Sequence, residues 1–502
     1  MAEIYSVPEA QPKRRSPVLK WLSRLLIGAA LIVLLVTQAQ GLILFAQHIP
    51  VALDDPYTLN YGEGPLLDQA VRLSRGENIY QSDLTRPPYT ITNYPPLYVL
   101  AQVPFVEHFG AAFWYGRLIS LISLLVAALF LGLTVQTITK DWLAGLAAAL
   151  TLPAIPYLFY WSALARIDSL ALALSMAGLF VIVRSYRRRS GLILAVLLLT
   201  AAAYTRQTYL LAAPLAGFVY VWGRGERFKA LAFAVLLGCV VLGLFALVLV
   251  DTRGGIFFHI ITANVNALNP DLITHYVNEL TLNFPILLAA GGIYLIGGLI
   301  FGRPAYWMIA PYILGALIVA LTISKVGSDV NYLFELSAAL CFAAGGVIAM
   351  LRRWFPLRAA SLVILAAAVY MATSLTISQY QPILTRSAHP DTPVDKLVDL
   401  IRTTNEPIIA DEQMGLLALN GKPILFQPFE MSQLALAGLW NQQPFLDALA
   451  RGDYPIILLY QPSRNPQLRF ERWTPDMLRI INNDYRPDFQ SAETTVYRYA
   501  GP

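Results

Sequence analysis

The chain has 502 residues, of which 57% are hydrophobic and 13% charged, and its mean hydropathy is +0.55. A water-soluble protein could not hide that much apolar surface, so this balance excludes an ordinary string of soluble domains. The formal charge of +5 does not indicate nucleic acid, because the basic residues flank apolar runs and form no patch interleaved with exposed aromatics. Cys239 and Cys341 are the two cysteines, both inside apolar runs, so neither a disulfide framework nor a Cys-based metal site is available.

From the N-terminus, Lys13, Arg14, Arg15, Lys20 and Arg24 precede a first apolar run, Leu25 to Ala46. Without a small-residue cleavage site it reads as a retained helix, not a removed signal peptide. Comparable runs are Leu118 to Thr137, Phe228 to Val250 and Leu357 to Ser374, each about the ~20 residues that cross a bilayer core. Hydropathy and Lys/Arg placement together predict an all-α polytopic membrane protein of about eleven transmembrane helices, N-terminus in the cytoplasm. The segments then cytoplasmic are Met1 to Arg24, Lys140-Asp141, Arg184 to Ser190, Gly223 to Lys229, Gly302-Arg303-Pro304 and Arg352 to Arg358. They hold seventeen of the 36 Lys and Arg in few residues, which supports that orientation. It also requires Gly191 to Trp222 to split into two short helices turning near Thr205-Arg206.

The expected division is a cytoplasmic segment 1–24, a transmembrane domain 25–379 and an extracytoplasmic domain 380–502. Two long outer loops fall within the second part, 48–114 and 251–283. In the first, Pro65 to Leu73 reads as a short helix near the membrane surface. The tail alternates helical stretches (Val394 to Ile401, Pro444 to Arg451, Pro475 to Ile481) with apolar strands (Pro407 to Ala410, Pro455 to Tyr460), which predicts a small α/β domain. No internal repeat of the kind expected in many transporters is visible.

Ionisable residues within or at the ends of spans are costly, and the unexplained ones fall on the outer side: Arg117, Arg166, Asp168, Arg206, Lys325 and Asp329. Glu63, in Tyr61-Gly62-Glu63-Gly64-Pro65, has Asp54, Asp55 and Asp68 nearby. Between glycines it is placed either to cap the Pro65 helix or to act as a general base on a hydroxyl. Arg166 and Asp168, two residues apart, point to different sides of a helix. They are either an interfacial anchor with a helix-start acid or a functional pair. Arg206 and Lys325 lie in turns, Lys325 followed by Asp329, Asn331 and Tyr332. Basic side chains at that depth either snorkel to headgroups or bind a lipid phosphate. His48, His108, His259, His275 and His389 have no metal-ligand spacing.

In this order the motifs resemble the GT-C superfamily of polyprenyl-phosphate-sugar-dependent glycosyltransferases, among them bacterial relatives of protein O-mannosyltransferases, aminoarabinose transferases and Rgt-type lipopolysaccharide glycosyltransferases. The likeness runs from the first helix to about Met350. It is carried by Glu63-Gly64-Pro65-Leu66-Leu67-Asp68-Gln69-Ala70, Arg75-Gly76-Glu77-Asn78-Ile79-Tyr80, Tyr94-Pro95-Pro96-Leu97-Tyr98, Gly116-Arg117-Leu118, Ala165-Arg166-Ile167-Asp168, Thr205-Arg206-Gln207-Thr208 and Lys325-Val326-Gly327-Ser328-Asp329-Val330-Asn331-Tyr332. The family's first loop commonly has Asp-Glu, and Gly62 stands where that Asp would be.

The resemblance implies transfer of a hexosyl or pentosyl group from a polyprenyl-phosphate sugar to a lipid, glycan or protein hydroxyl at the extracytoplasmic face of the plasma membrane, with inversion. Its implied catalytic acids are Glu63, with Asp54 or Asp55 as substitutes, and Asp168. Arg206, Lys325 and Arg166 would bind the donor phosphate, and Asp68, Tyr94, Asn331 and Tyr332 the substrate. No cofactor is required, a divalent cation is compatible, and no metal ligands are assigned. Partners are the donor, the acceptor and membrane lipids, with no nucleic acid. The rival readings are a transporter or lipid flippase, which should show functional charges on both faces, and a non-catalytic assembly subunit.

Overall fold

The computed structural model describes residues 17–264, 266–301, 304–354, 358–387, 394–463, 465 and 467–501. The expected cytoplasmic stretch before Pro17, Gly302-Arg303, most of the basic segment after Trp354, and His389 lie outside the described residues.

Among the described residues seven helices are long and apolar enough to cross a membrane: Pro17–Asp54, Trp114–Thr139, Asp168–Ser185, Arg227–Asp251, Tyr306–Ser324, Val330–Arg353 and Ala359–Ser378. Pro270–Asn283 and Pro285–Phe301 make an eighth if the pair, bent by 98°, is one span. Eleven is therefore not the number that length supports. The difference lies in shorter apolar helices, Trp142–Ala154, Arg189–Thr205 and Ala212–Gly223, which fall below the ~20 residues of a full crossing. The break between the last two falls at Arg206, where the backbone turns extended and a short 3-10 segment, Gln207–Leu210, follows.

Small residues let these helices approach closely. Ala144, Ala147 and Ala148 of Trp142–Ala154 share a buried cluster with Leu131 and Val135 and with Ala338, Ala339 and Ala343 of the helix Phe334–Trp354. Val330–Arg353 is 94% buried and Arg227–Asp251 only 11%, so the first is the central post of the bundle and the second faces lipid. The first helix runs on through His48 to Asp54, beyond the expected loop boundary, because Ala52 packs with Leu121 and Ala163. At the other boundary, Arg358–Ser387 continues two turns past residue 380.

The C-terminal domain carries a four-stranded sheet, β1 (Ile408–Ala410), β2 (Ile456–Tyr460), β3 (Tyr485–Ser491) and β4 (Thr494–Tyr499), in the order β1-β2-β4-β3. β1 and β2 are parallel and the other pairings antiparallel. The helices Asp395–Thr403, Gln443–Arg451 and Pro475–Asp484 and the first two strands match the sequence expectation closely. The β3-β4 hairpin and the helices Met414–Leu419 and Pro428–Leu436 were not anticipated.

This domain is docked on the first long loop. Tyr89 donates its N–H to the Leu425 carbonyl at 2.7 Å and accepts from Gln427 N at 3.0 Å, a single parallel bridge between residues far apart in sequence. The Trp440 indole donates to the Leu84 carbonyl at 2.8 Å. Gly64 and Gly415 let two short helices touch, since a Cβ on Gly64 would stand 2.6 Å from the Gly415 nitrogen.

Candidate active site

Arg117 fixes the first long loop. It lies in the first turn of Trp114–Thr139, fully buried. Its Nε and Nη2 donate to the two oxygens of Glu63 at 2.9 and 3.0 Å. Nη1 donates to the carbonyls of Ala52 and Asp55 at 3.0 and 2.6 Å, and Nη2 to that of Tyr57 at 2.6 Å. Glu63 also accepts from Ala165 N and Leu59 N, both at 2.7 Å. Four donors thus satisfy its carboxylate, which has no exposed surface. A general base needs a lone pair within reach of a hydroxyl, and Glu63 offers none. Nor does it cap a helix: it is the first residue of Glu63–Ser74, and its side chain bonds backward to Leu59. Both expected roles give way to a third, a charged clasp for the loop.

Asp168 is also fully buried. Its Oδ2 accepts from the Trp161 indole at 2.7 Å, and its Oδ1 accepts from Arg206 Nη1 and from Asn331 Nδ2, the latter at 3.2 Å. Arg206 donates in addition to the Asn331 carbonyl at 3.1 Å and lies over the Tyr332 ring at 4.4 Å. The pair thus ties three elements together at one end of the bundle. Arg206 therefore does not present itself to a ligand as the sequence suggested, because its charge is spent on Asp168 inside the wall. Asp54 is exposed, and Asp55 accepts from Tyr57 N at 2.9 Å; neither meets the cavity described next. Asp68 is buried at the seam with the C-terminal domain, where the Ile424 N–H reaches it, and burial pushes its carboxyl up to about 6.

At this end of the bundle a cavity of about 520 Å³ opens between the helix ends, the first long loop and the C-terminal domain. Of the expected residues, Arg166, Lys325, Tyr94, Asn331 and Tyr332 line it; Glu63, Asp55, Asp68, Asp168 and Arg206 do not. Arg166 lies over the Trp161 ring at 5.3 Å and approaches Asn60 Oδ1 at 3.5 Å. A Cβ on Gly62 would fall 1.2 Å from Arg166 Nη1, so the missing side chain there is the space the guanidinium occupies. Lys325 donates to Asn264 Oδ1 at 2.9 Å, and partial burial draws its ammonium below the usual lysine range. Its turn is stitched to the second long loop by Val326 N to Ala267 O and Asn269 N to Ser324 O.

Among the described residues, three that line the cavity each carry a buried polar atom without a partner, Arg166 Nε, Gln69 Oε1 and Gln207 Oε1. A concavity lined by Arg166, Lys325, Asn331 and Glu430 is a place for a polar ligand. His259, one of the histidines without metal-ligand spacing, holds the walls: Nδ1 accepts from Thr92 N at 2.8 Å while Nε2 meets the Gln81 carbonyl at 2.7 Å. Burial lowers it to about 4, so the ring is neutral and Nε2 carries the hydrogen. Among the described residues no three His, Cys, Asp or Glu side chains gather as metal ligands.

The C-terminal domain supplies a wall that sequence reasoning missed, including Glu430 and Arg472. Arg472 pairs with Asp411 at 2.7 Å and Glu412 at 2.8 Å, and lies over the Tyr61 ring at 4.4 Å. No local motif distinguishes these residues from the surface charges of any small soluble domain.

No family model matches this sequence, and no curated protein does. Its architecture does match solved structures. ArnT from Cupriavidus metallidurans bound to undecaprenyl phosphate superposes with a TM-score of 0.59 at 14% identity, over 92% of this chain and 97% of that one. ArnT in the apo state gives 0.58 at 15% identity, over 96% and 98%. The archaeal oligosaccharyltransferase AglB from Archaeoglobus fulgidus, in complex with an inhibitory peptide and a dolichol-phosphate, gives 0.52 at 13% identity, over 93% and 74%. The chain is thus a polytopic helical protein with the fold of these structures. Its likeness to ArnT extends through the C-terminal domain, since both chains are covered almost end to end.

Proposed function

We propose that this protein is a membrane glycosyltransferase that moves a sugar from a polyprenyl-phosphate donor to a hydroxyl acceptor at the extracytoplasmic face, with inversion. The observation that carries this reading is the cavity in which Arg166 and Lys325 converge at the membrane-helix ends beneath a docked soluble domain. As the glycosidic bond breaks, the leaving phosphate gains negative charge, and cationic donors placed there lower the barrier. Arg166 and Lys325 fill that role. Arg206 acts from behind the wall, fixing Asn331 and Tyr332 with Asp168. Both ArnT and AglB were captured with a polyprenyl phosphate, which supports the donor class.

In this reading the protein is a multi-pass plasma-membrane enzyme with a cytoplasmic N-terminus, and the C-terminal domain takes part in holding a lipid, glycan or protein acceptor. The test is transfer from a panel of polyprenyl-phosphate hexoses and pentoses by purified protein in liposomes. Transfer from at least one donor is expected, with Lys325→Ala and Arg166→Ala each lowering kcat by about 10²–10³-fold. Absence of transfer from every donor overturns the reading.

One observation favours the transporter or flippase alternative. A second cavity, of about 410 Å³, lies at the opposite end of the central helix, lined by Lys140, Arg353 and the ion pair of Asp141 with Arg352. Labelled polyprenyl phosphate crossing the liposome bilayer without sugar transfer is the outcome that alternative requires.

A further inference from the structure

The acceptor hydroxyl must lose its proton to some group, and none of the first-loop acids faces the cavity. Three carboxylates outside that loop are in the lining, Asp329, Glu430 and Glu471, and among the described residues no first-loop side chain holds the Glu471 carboxylate. Asp329 is committed to its own turn, where Oδ1 accepts from Val330 N at 2.7 Å and caps the 3-10 segment Val330–Leu333. It also belongs to the same turn as Lys325, the side to which the phosphate is assigned. A base for an inverting displacement belongs on another wall.

Glu430 comes from that other wall, in the first turn of Pro428–Leu436. Two side chains of the first long loop aim it: Tyr61 Oη donates to Oε2 at 2.9 Å, and Asn93 Nδ2 approaches Oε1 at 3.4 Å. With its own backbone N–H these make three donors for four lone-pair sites, which leaves one free. Glu63, with two donors on each oxygen, has none. The geometry points to Glu430 of the C-terminal domain as the general base of the transfer, a catalytic carboxylate reaching the cavity from outside the membrane domain. This rests on the glycosyltransferase reading above.

In the step it performs, the acceptor O–H proton passes to a Glu430 oxygen as the acceptor oxygen bonds to the anomeric carbon. The bond from that carbon to the phosphate oxygen breaks, and its electron pair leaves with the polyprenyl phosphate beside Arg166 and Lys325. Burial raises the Glu430 carboxyl above the usual range, making it a stronger base than a solvated glutamate. Gly62 fits the same scheme. With Arg166 filling the space of a side chain there, that position holds no carboxylate, and the base arrives from the opposite partner of the seam.

The test compares the unaltered protein, Glu430→Gln and Glu430→Asp in liposomes, with undecaprenyl-phosphate-linked mannose, glucose, galactose and arabinose as probes. Release of undecaprenyl phosphate is followed with a glycan and lipid-linked acceptor mixture, and donor affinity and thermal unfolding are measured alongside. The expected result is a loss of kcat of at least 100-fold in Glu430→Gln, with donor affinity unchanged, unfolding temperature not lowered and partial activity in Glu430→Asp. Activity of Glu430→Gln within threefold of the unaltered protein overturns the assignment and leaves the glycosyltransferase reading standing. No release by the unaltered protein from any probe overturns both.

Discussion

Arg117 and Glu63, separated by 54 positions, form a bidentate ion pair with no exposed surface on either partner. Arg117 adds three backbone carbonyls to the pair, and Glu63 adds two backbone N–H groups. Together they hold the chain from Ala52 to Glu63 against the start of Trp114–Thr139 and against Ala165.

Removing one partner strands the other charge in a dry site. Glu63→Ala is expected to cost about 3–5 kcal/mol, seen as a large fall in the thermal unfolding temperature of the purified protein. Joint replacement of Glu63 and Arg117 by Leu should cost less than the sum of the two single changes, because no unpaired charge remains. A fully additive double-mutant cycle would refute the clasp.

The two glycines flanking Glu63 should behave oppositely. At Gly62 a Cβ meets only the tip of Arg166, which can swing aside. Gly62→Ala should therefore leave stability nearly unchanged while lowering transfer, through a displaced guanidinium. At Gly64 the Cβ meets the Gly415 backbone, which cannot yield cheaply. Gly64→Ala should lower stability by about 1–3 kcal/mol and make the C-terminal domain easier to release by limited proteolysis. Equal stability losses in the two variants would contradict this.

Asp68 makes the seam sensitive to pH. Its carboxyl, moved by burial from 3.8 to about 6, keeps in the folded state a proton that the unfolded chain has lost. The Asp68 contribution to stability is therefore greatest below about pH 4, falls as pH rises to about 6 and is level above, where the buried charge costs about 3 kcal/mol. Asp68→Asn keeps an acceptor for the Ile424 N–H and should flatten most of this slope, raising the unfolding temperature at neutral pH. A residual slope of the same sign is expected from Glu412 and Glu430, whose carboxyls burial also raises. An unchanged pH profile in Asp68→Asn would show that the seam charge lies elsewhere.

The membrane class, the soluble α/β tail and the break near Arg206 were all legible in the chain by itself. They depend on run length, hydrophobic period and flanking charge, which are local properties. Lys/Arg placement also put Arg166 and Lys325 on one side, and both prove to line the cavity. Tertiary structure decided which charges are free. Glu63, Asp168 and Arg206 look like Arg166 and Lys325 in one dimension, yet the first three are neutralised by partners 38 or more positions away. Glu430 joins the site through Tyr61, 369 positions distant, a contact no local pattern encodes. Burial of a charge depends on what the fold brings against it, so the same residue type becomes a clasp at one site and a reactive group at another.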